Sequence, residues 1–425
     1  MRMVLAIVGA SLAGASAVLA DDATVASDSQ AFLTPAPTTS FAPAAPQGEK
    51  GKGMHLGDWM LFPNIFVGAS YDSNVYSTQT NPVSDIGLRL TPAITAVDDN
   101  GVHKTTLYAN GDFYFYKSNP NADVVNGHVG VEHRWEAERD LVFQLNADVS
   151  RLTDTSTIGT VVNGATLRPT FYESYVASAT VQKDFGNMFV KVGGKFLNDS
   201  YENTQTLLGT TVSASGRDFN YFAGLARLGY RVSPLFYIYS ETIGNVTPYY
   251  NNPRFNSSGF KTVVGVGSDR VSLFQGEVYA GYQQQSYQST AINTVDGAVV
   301  GAALNWFPLE YLKVSGSADE SFGVTTIAQT GAPNGTSTYI TTGQLKADYT
   351  LSQLWTAEVR GGLAHTTYFN TPRVDNAWTA GASLNFNLRN NIFLTVDNSF
   401  TDQISNFAGA SYIRNISSVG LTYKY

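Results

Sequence analysis

The five histidines are the first residues whose chemistry could define a site. His128 and His133 are five residues apart, so on a β-strand they point to opposite faces and cannot hold one metal ion together. The sequence contains no G-x-S-x-G, G-x-x-x-x-G-K or H-E-x-x-H motif. A Ser–His site assembled between strands stays open, because such sites are recognised by geometry. The sequence therefore predicts no enzyme, no catalytic residue, no cofactor and no metal ion.

Charged residues form a second set of candidates, because they recur at alternate positions of segments that are otherwise apolar. Alternate side chains of a strand share one face. Fixed charges of both signs around a water-filled space would select solutes by size and charge without a covalent step. The candidate pore-lining residues are Arg89, Asp112, Glu132, Arg134, Asp148, Lys191, Lys195, Arg227, Arg231, Glu277, Lys313, Lys346, Glu358 and Arg360.

Further charged residues share this parity, which means that they lie at the alternate strand positions on the same face. They are Glu241, Asp319, Asp348, Asp397 and Lys424. The combined set has ten basic and nine acidic members, so it indicates no strong preference for anions or cations. Tyrosines on the same face could form a stacking track for sugars, or could fill and stabilise the wall, and the second role is favoured because Tyr is common in strands. These tyrosines are Tyr108, Tyr114, Tyr116, Tyr221 and Tyr279.

The segments that carry these residues are predicted to be long strands. Leu107, Ala109, Phe113 and Phe115 alternate with polar or tyrosine positions, and the same period of two recurs along the chain from Pro63. The segments are about ten residues long, which matches the roughly 9–11 residues that a tilted strand needs to cross a bilayer. A soluble β-helix or sandwich would also alternate, but it explains the connections less well.

The connections fall into two classes. Short turns such as 98–101 and 184–187 alternate with long Thr/Asn/Gly/Ser-rich loops such as 198–217 and 245–259. Hydrocarbon offers no hydrogen-bond partner, so a sheet there must close on itself. The sequence predicts an all-β, transmembrane, antiparallel up-and-down barrel of about 18 strands, within a range of about 16–18. The expected strand centres lie near residues 68, 91, 110, 131, 146, 178, 194, 226, 240, 264, 279, 301, 317, 345, 360, 382, 397 and 419. The loop 151–170 is a candidate constriction.

Short motifs recur where the upward strands reach the long loops. They are Asn198-Asp-Ser-Tyr201, Asp319-Glu-Ser-Phe322, His365-Thr-Thr-Tyr368 and Asp397-Asn-Ser-Phe400. An aromatic residue at this depth fits the interfacial girdle of a membrane barrel, and we interpret the motifs as structural.

Both ends of the sequence carry patterns that are typical of targeting signals. A basic start, an uncharged apolar stretch and Val18-Leu19-Ala20 predict a signal peptide at residues 1–20. Residues 21–57 are rich in Pro, Ala and Gly and predict a flexible periplasmic tether before a barrel at 58–425. At the C-terminus, Val419, Leu421, Tyr423 and Tyr425 share one parity and resemble the signal that the barrel assembly machinery reads, although Phe is the usual last residue.

The overall composition agrees with a barrel. Charged residues make up 14% of the chain, below the roughly 25% of a typical soluble domain. The net charge of -8 gives no footprint for nucleic acid, and the absence of cysteine excludes disulfides and thiol chemistry.

The segment 62–76 resembles the opening strand of the outer-membrane barrels grouped as beta-barrel porin 2. Their first strand runs into an aromatic-Asp-x-Asn-aliphatic-aromatic stretch, which Tyr71, Asp72, Asn74, Val75 and Tyr76 match. The resemblance implies a barrel in a Gram-negative outer membrane, and some similar proteins accompany exopolysaccharide genes. It supplies no established functional residues.

The leading functional hypothesis is a passive diffusion channel for small polar solutes. An export or accessory barrel for exopolysaccharide is the second, and a barrel enzyme the third. The expected partners are outer-membrane lipid and lipopolysaccharide, the assembly machinery, and small polar solutes or polysaccharide, with no nucleic acid.

Overall fold

The computed structural model describes residues 53–154, 161–162, 165–166, 168–268, 273–325, 336–352, 354–369, 371–389 and 391–425. Eighteen antiparallel strands form a closed barrel in which each strand pairs with its neighbours in the chain. Their bounds are β1 Trp59–Asp72, β2 Asp85–Asp99, β3 His103–Tyr116, β4 Val124–Glu138, β5 Leu141–Asp154, β6 Thr170–Phe185, β7 Met188–Tyr201, β8 Phe219–Arg231, β9 Tyr237–Thr247, β10 Ser257–Ser268, β11 Phe274–Tyr287, β12 Val295–Leu309, β13 Leu312–Thr325, β14 Thr336–Thr350, β15 Trp355–Tyr368, β16 Val374–Arg389, β17 Ile392–Ser405 and β18 Tyr412–Lys424.

The barrel closes where its first strand meets its last. β1 pairs with β18 over nine residue pairs, from Asn64↔Lys424 to Asp72↔Ile416. This seam leaves no free edge between the two chain ends, as a sheet in hydrocarbon requires. The prediction of an all-β antiparallel barrel of about 18 strands is confirmed, and each expected strand centre lies inside one observed strand.

Small elements accompany the barrel. The described helical structure consists of 3₁₀ turns at Pro120–Ala122, Ser215–Arg217 and Pro253–Phe255. Two-residue strands pair Val161–Val162 with Ala165–Thr166 and Thr204–Gln205 with Thr211–Val212. Among the residues described, no helix has both the length and the apolar character of a membrane span.

The N-terminal edge of the described chain joins the sheet. Met54–Leu56 pairs with Trp59–Leu61 around Gly57, whose φ of 63° suits glycine. The Gly53 N–H donates to the carbonyl oxygen of Tyr425 at 3.3 Å. The predicted signal peptide and the predicted tether up to residue 52 lie outside the described residues.

The two rims of the barrel differ, as the spacing of the turns predicts. One rim, here the short-turn rim, carries tight connections such as Phe185–Met188, in which Gly186 has a φ of 65°. The other, the long-loop rim, carries the segments 73–84, 202–218 and 248–256. The loop 151–170, our candidate constriction, lies partly outside the described residues.

Strand alternation separates an apolar outer face from a mixed inner face. Val129, Val264 and Leu345 are 62%, 63% and 59% exposed on the outside, whereas Arg89 is 1% exposed on the inside. Large exposed apolar side chains would be unfavourable in water and suit a surface bathed in acyl chains.

The inner face also holds an apolar cluster that alternation alone does not predict. It runs from β7 to β13 and comprises Phe189, Tyr237, Tyr239, Val263, Tyr279, Val295, Val299 and Phe322. Val263 and Val299 stand beside the outward Val264 and Val300, so these Val–Val doublets place an apolar side chain on both faces of the wall.

Candidate functional site

The inner wall is the candidate site, because the predicted charged residues lie at the alternate strand positions whose side chains point inward. Contacts across several strands support this placement. Arg227 of β8, for example, reaches past β9 and β10 to Glu277 of β11.

The Arg227 network joins β8, β9 and β11 on the inner wall. Its Nε lies 2.6 Å from Oε2 of Glu241, and its Nη1 lies 2.7 Å from Oε1 of Glu277. Tyr237 also donates to Glu277 at 2.7 Å, and the Arg227 guanidinium lies 4.0 Å from the centre of the Tyr239 ring. Two carboxylates and one ring therefore hold a single buried cation.

Lys191 of β7 is the direct cross-strand neighbour of Arg227. Like charges placed directly opposite one another are destabilising, so the two glutamates that contact Arg227 are needed to offset the repulsion. Lys195, two positions along β7, is half-buried opposite Ala223 and Ser178.

A smaller cluster links β10, β11 and β13. Lys261 Nζ lies 3.2 Å from Oδ1 of Asp319, and Tyr279 donates a hydrogen bond to the same carboxylate oxygen. The ammonium group also lies 4.8 Å from the centre of the Tyr279 ring. The three side chains form one neutral unit.

On β14 and β15, like charges face each other in two consecutive inner rows. Lys346 is opposite Arg360, and Asp348 is opposite Glu358. Ion pairs between the rows resolve both clashes: Lys346 lies 2.9 Å from Glu358 and 3.2 Å from Asp348, and Arg360 lies 3.2 Å from Glu358.

The neighbouring strands extend this network. Lys313 of β13 is the cross-strand partner of Asp348, and Arg360 reaches Asp397 of β17 at 2.9 Å.

Arg89 binds both carboxylate oxygens of Asp112 at 2.9 Å, and both side chains are buried. Paired carboxylates and guanidinium groups of this kind are rigid, because each bidentate pair fixes two side chains.

Three charged residues of the inner wall are more accessible than these networks. Glu132 is exposed, Arg134 pairs with Glu136, and Arg231 lies 3.3 Å from Asp184. These groups would meet a solute in the lumen more readily than the buried networks.

His128, Asp148 and Ser150 meet on β4 and β5 and form the described constellation closest to a hydrolytic triad. Ser150 Oγ lies 2.8 Å from Nδ1 of His128, and Oδ1 of Asp148 lies 3.7 Å from the same nitrogen. A triad needs the hydroxyl and the carboxylate on opposite ring nitrogens. Here both approach Nδ1, and Ser150 also donates to Asp148, so this geometry provides no proton relay.

The inner tyrosines are occupied by contacts within the wall. Tyr108 and Tyr279 lie over Gly130 and Gly301, their direct cross-strand partners. A Cβ added to either glycine would come within 2.3 Å and 2.2 Å of the ring, respectively. The glycines leave room for the rings, and the rings cover the glycines.

The other members of the predicted track are equally engaged. Tyr114 and Tyr116 contact each other at 4.3 Å between ring centres, and Tyr221 is 5% exposed. The geometry therefore favours the wall-filling interpretation over a sugar track. Within the described ranges, no group of three or more His, Asp or Glu side chains is arranged to hold a metal ion.

The long-loop rim holds Asp–Arg–Tyr units that sequence reasoning missed. Arg373 lies 2.6 Å from Asp375 and over the ring of Tyr368. Arg217 lies 2.8 Å from Asp154, with its guanidinium 4.0 Å from the centre of the Tyr201 ring.

The girdle interpretation is therefore wrong for Tyr201 and Tyr368, and also for Phe322, which is 6% exposed within the inner apolar cluster. Tyr368 is 7% exposed and donates to Asp375, and Tyr201 contacts Arg217. Phe400, in contrast, is 36% exposed and alternates with inner residues of β17, as a girdle residue would.

A third unit joins Asp72, Arg414 and Tyr116. Arg414 Nη2 and the Tyr116 hydroxyl both donate to Oδ2 of Asp72 at 2.6 Å. Asp72 belongs to the segment that carries the family resemblance, so the sequence alone draws attention to it. No sequence pattern identifies its partner Arg414. In the next loop, burial raises the pKa of the Asp123 carboxyl, which accepts a hydrogen bond from the Tyr116 N–H.

The C-terminal strand presents its apolar parity to the outside. Val419, Leu421, Tyr423 and Tyr425 are 50%, 50%, 41% and 37% exposed. They form a continuous outer stripe at the end of the chain; recognition of this stripe by an assembly machinery stays a prediction.

Three solved structures illustrate what the barrel is similar to. The siderophore receptor PirA from Pseudomonas aeruginosa is 8% identical, with coverage of 86% of this chain and 80% of that chain and a TM-score of 0.42. The outer membrane protein opdK from Pseudomonas aeruginosa is 10% identical, with coverage of 87% and 99% and a TM-score of 0.40. The copper transporter OprC is 8% identical, with coverage of 88% and 82% and a TM-score of 0.44. Similarity at this level supports no inference about function.

Sequence comparison is more specific. No curated protein matches the chain. A family model described as "Putative beta-barrel porin 2" matches residues 47–425, which include all eighteen barrel strands. The chain therefore belongs to the beta-barrel porin 2 family of outer-membrane β-barrels.

Proposed function

We propose that this barrel is an outer-membrane channel for the passive diffusion of small polar solutes. The observation that carries the proposal is the contrast between the two faces of one closed wall, apolar outside and ion-paired inside. Barrels of about 16–18 strands leave an aqueous lumen unless a segment plugs it. Charged inner side chains are stable there when they are paired or in contact with water.

The charges on the wall favour weak ion selectivity. Arg227, Lys261 and Lys346 each contact at least one carboxylate on the inner wall. Because neighbouring positive and negative charges cancel at a distance, a passing ion would meet a small net field. We infer that size is the main criterion for passage.

Liposome swelling tests this function directly. Purified barrel in liposomes loaded with an impermeant polymer is diluted into isotonic solutions of glycine, arabinose or a disaccharide, and swelling is followed by light scattering. We expect swelling rates that fall steeply as solute size rises. Equal rates with and without folded barrel would refute passive diffusion; heat-modifiable gel mobility verifies folding in each preparation.

The orientation and biogenesis follow from the same proposal. We propose that the short-turn rim faces the periplasm, where a tether after a cleaved signal peptide would lie, and that the outer face contacts lipid and lipopolysaccharide. The occupied inner tyrosines give no support to a sugar track, so we do not extend the proposal to polysaccharide export.

The terminal residue offers a test of recognition by the assembly machinery. Tyr425 and Tyr349 are both outward tyrosines near the short-turn rim and are 37% and 39% exposed. If the end of the chain is read during assembly, Tyr425→Ser lowers the amount of folded barrel in the outer membrane of a Gram-negative host, whereas Tyr349→Ser does not. Both variants should refold equally well in detergent, and equal amounts in the cell would contradict the proposed role.

A further inference from the structure

The loop between β1 and β2, residues 73–84, turns inward at the long-loop rim. Val75 and Tyr76 are 1% and 7% exposed and pack against Tyr114 and Tyr116 of β3 and Val124 of β4. The two tyrosines and Val124 lie on the inner parity of their strands, because Phe115 and Val129 point outward with 42% and 62% exposure. The loop therefore crosses β2 and packs against the inner face of β3 and β4.

Hydrogen bonds hold this loop in its inward position. Asn74 Nδ2 donates to the carbonyl oxygens of Thr78 and Ile413 at 2.9 and 3.0 Å, and the Asn74 N–H donates to Asp72 at 2.9 Å. The Tyr76 hydroxyl donates to Asn119 of the next long loop at 3.2 Å. The loop is thus attached both to the seam and to its neighbour.

Two charged groups, Asp85 and Arg168, act on the Tyr76 hydroxyl. Burial raises the pKa of this hydroxyl, while the charge of Arg168 acts in the opposite direction. Arg168 belongs to the loop after β5, so Tyr76 lies within electrostatic reach of another long loop.

Two further loops fold inward on another side of the barrel. Tyr249 and Phe255 of the loop 248–256, and Ile292 of the loop 288–294, are 2%, 0% and 3% exposed. They pack with Phe219 and with Tyr221, which points inward because Phe222 is 44% exposed on the outside. The Phe219 and Tyr249 rings lie 5.3 Å apart.

We propose that these inward loops form the narrowest part of the channel entrance and set the largest solute that passes. The first side of this constriction is Val75 and Tyr76, and the second is Tyr249, Phe255 and Ile292. The inference rests on the proposed function, because a size limit has meaning for a conducting barrel alone. It places the limit at loops other than 151–170.

The chemistry of the two sides points to a filter for size rather than charge. Apolar and tyrosine side chains form both packed sides. Beside the first side, Asp72 and Arg414 neutralise each other at 2.6 Å, and Asp85 and Arg168 act on Tyr76 with opposite sign. Beside the second side, the Arg254 guanidinium lies 4.7 Å from the centre of the Phe255 ring. Small solutes of either sign, and neutral ones, would pass with similar ease, and the cut-off would follow side-chain volume.

Single-channel recording in planar bilayers with added polyethylene glycols tests the constriction. The variants are Tyr76→Ala and Phe255→Ala, with Leu208→Ala as the control because Leu208 is 80% exposed on a long loop and belongs to neither packed side. We expect both cluster variants to raise the conductance and to shift the size at which polymers stop entering the pore to a larger polymer. Leu208→Ala should match the unmodified barrel.

A second pair of variants keeps the constriction testable if the alanine variants fail to fold. Val75→Leu and Ile292→Phe keep the packing apolar and add volume, and we expect them to lower the conductance and the polymer cut-off. Conductance and cut-off unchanged in all four cluster variants, with a conducting unmodified barrel, would overturn the constriction and leave the channel function standing. A folded, unmodified barrel that does not conduct would overturn both.

Discussion

Arg414 of β18 and Asp72 of β1 join the last strand of the barrel to the first by a buried ion pair, with Nη2 of the arginine 2.6 Å from Oδ2 of the aspartate. The side chains are 6% and 0% exposed. Asp72 also accepts a bond from Tyr116 and caps the Asn74 N–H, so one carboxylate connects the seam to the inward loop.

Breaking this pair should destabilise the barrel. Asp72→Asn leaves the Arg414 charge buried without its counter-charge, and removal of one partner of a buried ion pair costs about 3–5 kcal/mol. We expect a corresponding loss in the free energy of unfolding, measured by denaturant titration in detergent micelles.

Glu202→Gln is the matched control, because Glu202 and its partner Arg151 are each 45% exposed. Exposed ion pairs contribute about 0–1 kcal/mol. Equal destabilisation by the two substitutions would show that the seam pair has no special role.

The cross-strand pairs of aromatic rings and glycines predict a second effect. Gly301→Ala would place a Cβ 2.2 Å from the Tyr279 ring and displace the hydroxyl that donates to Asp319. Overpacking of this kind costs about 1–3 kcal/mol. Gly244→Ala, also on a barrel strand but with no atom within 4 Å of the new Cβ, should cost much less. Thermal unfolding of the two variants compares them, and equal melting temperatures would contradict the packing role of Tyr279.

Removal of a charge from the inner face should change the ion selectivity, whereas removal of a charge from the outer face should not. Glu132 is exposed on the inner face of β4, whereas Asp296 of β12 accepts a hydrogen bond from the outward Tyr282 of β11. A unit charge acts on an ion about 10 Å away in water with about 0.4 kcal/mol, or about a twofold change in permeability. Glu132→Gln should therefore shift the reversal potential in a salt gradient toward anions, while Asp296→Asn should leave it unchanged. The reverse pattern would contradict the assignment of the two faces.

A charged side chain on the outer face at the level of the bilayer centre should destabilise the membrane-inserted barrel. Val129 lies in the middle of β4 with 62% exposure, and Val232 lies in a short turn with 59% exposure. An arginine at the midplane of a barrel wall costs about 2–4 kcal/mol, and one near the interface about 0–1 kcal/mol. Val129→Arg should reduce folding into liposomes far more than Val232→Arg, measured as the heat-modifiable fraction. Similar yields for both variants would argue against a lipid-facing wall.

The strand plan could be predicted from the sequence because its signals are local. Period-two alternation is visible within about ten neighbouring residues, and the two classes of connection are visible from the spacing between successive strands. This is why all the expected strand centres fall within observed strands, even at β10, where the Val263–Val264 doublet interrupts the alternation.

The site was less predictable because its contacts join distant segments. Parity places Arg227 and Glu277 on one face, but their pairing depends on the curvature of three intervening strand pairings. The cross-strand repulsion between Lys346 and Arg360 likewise cannot be recognised without the register. The inward course of residues 73–84 has a partial signal, since Val75 and Tyr76 are apolar in a loop that would otherwise be polar.

Single-channel recording of the purified, folded barrel in planar bilayers tests the central claim most directly, because a polar inner wall around solvent must carry ions. We predict discrete conductance steps that scale with bulk salt conductivity. Insertion of heat-modifiable barrel into the bilayer without any conductance step would contradict the account.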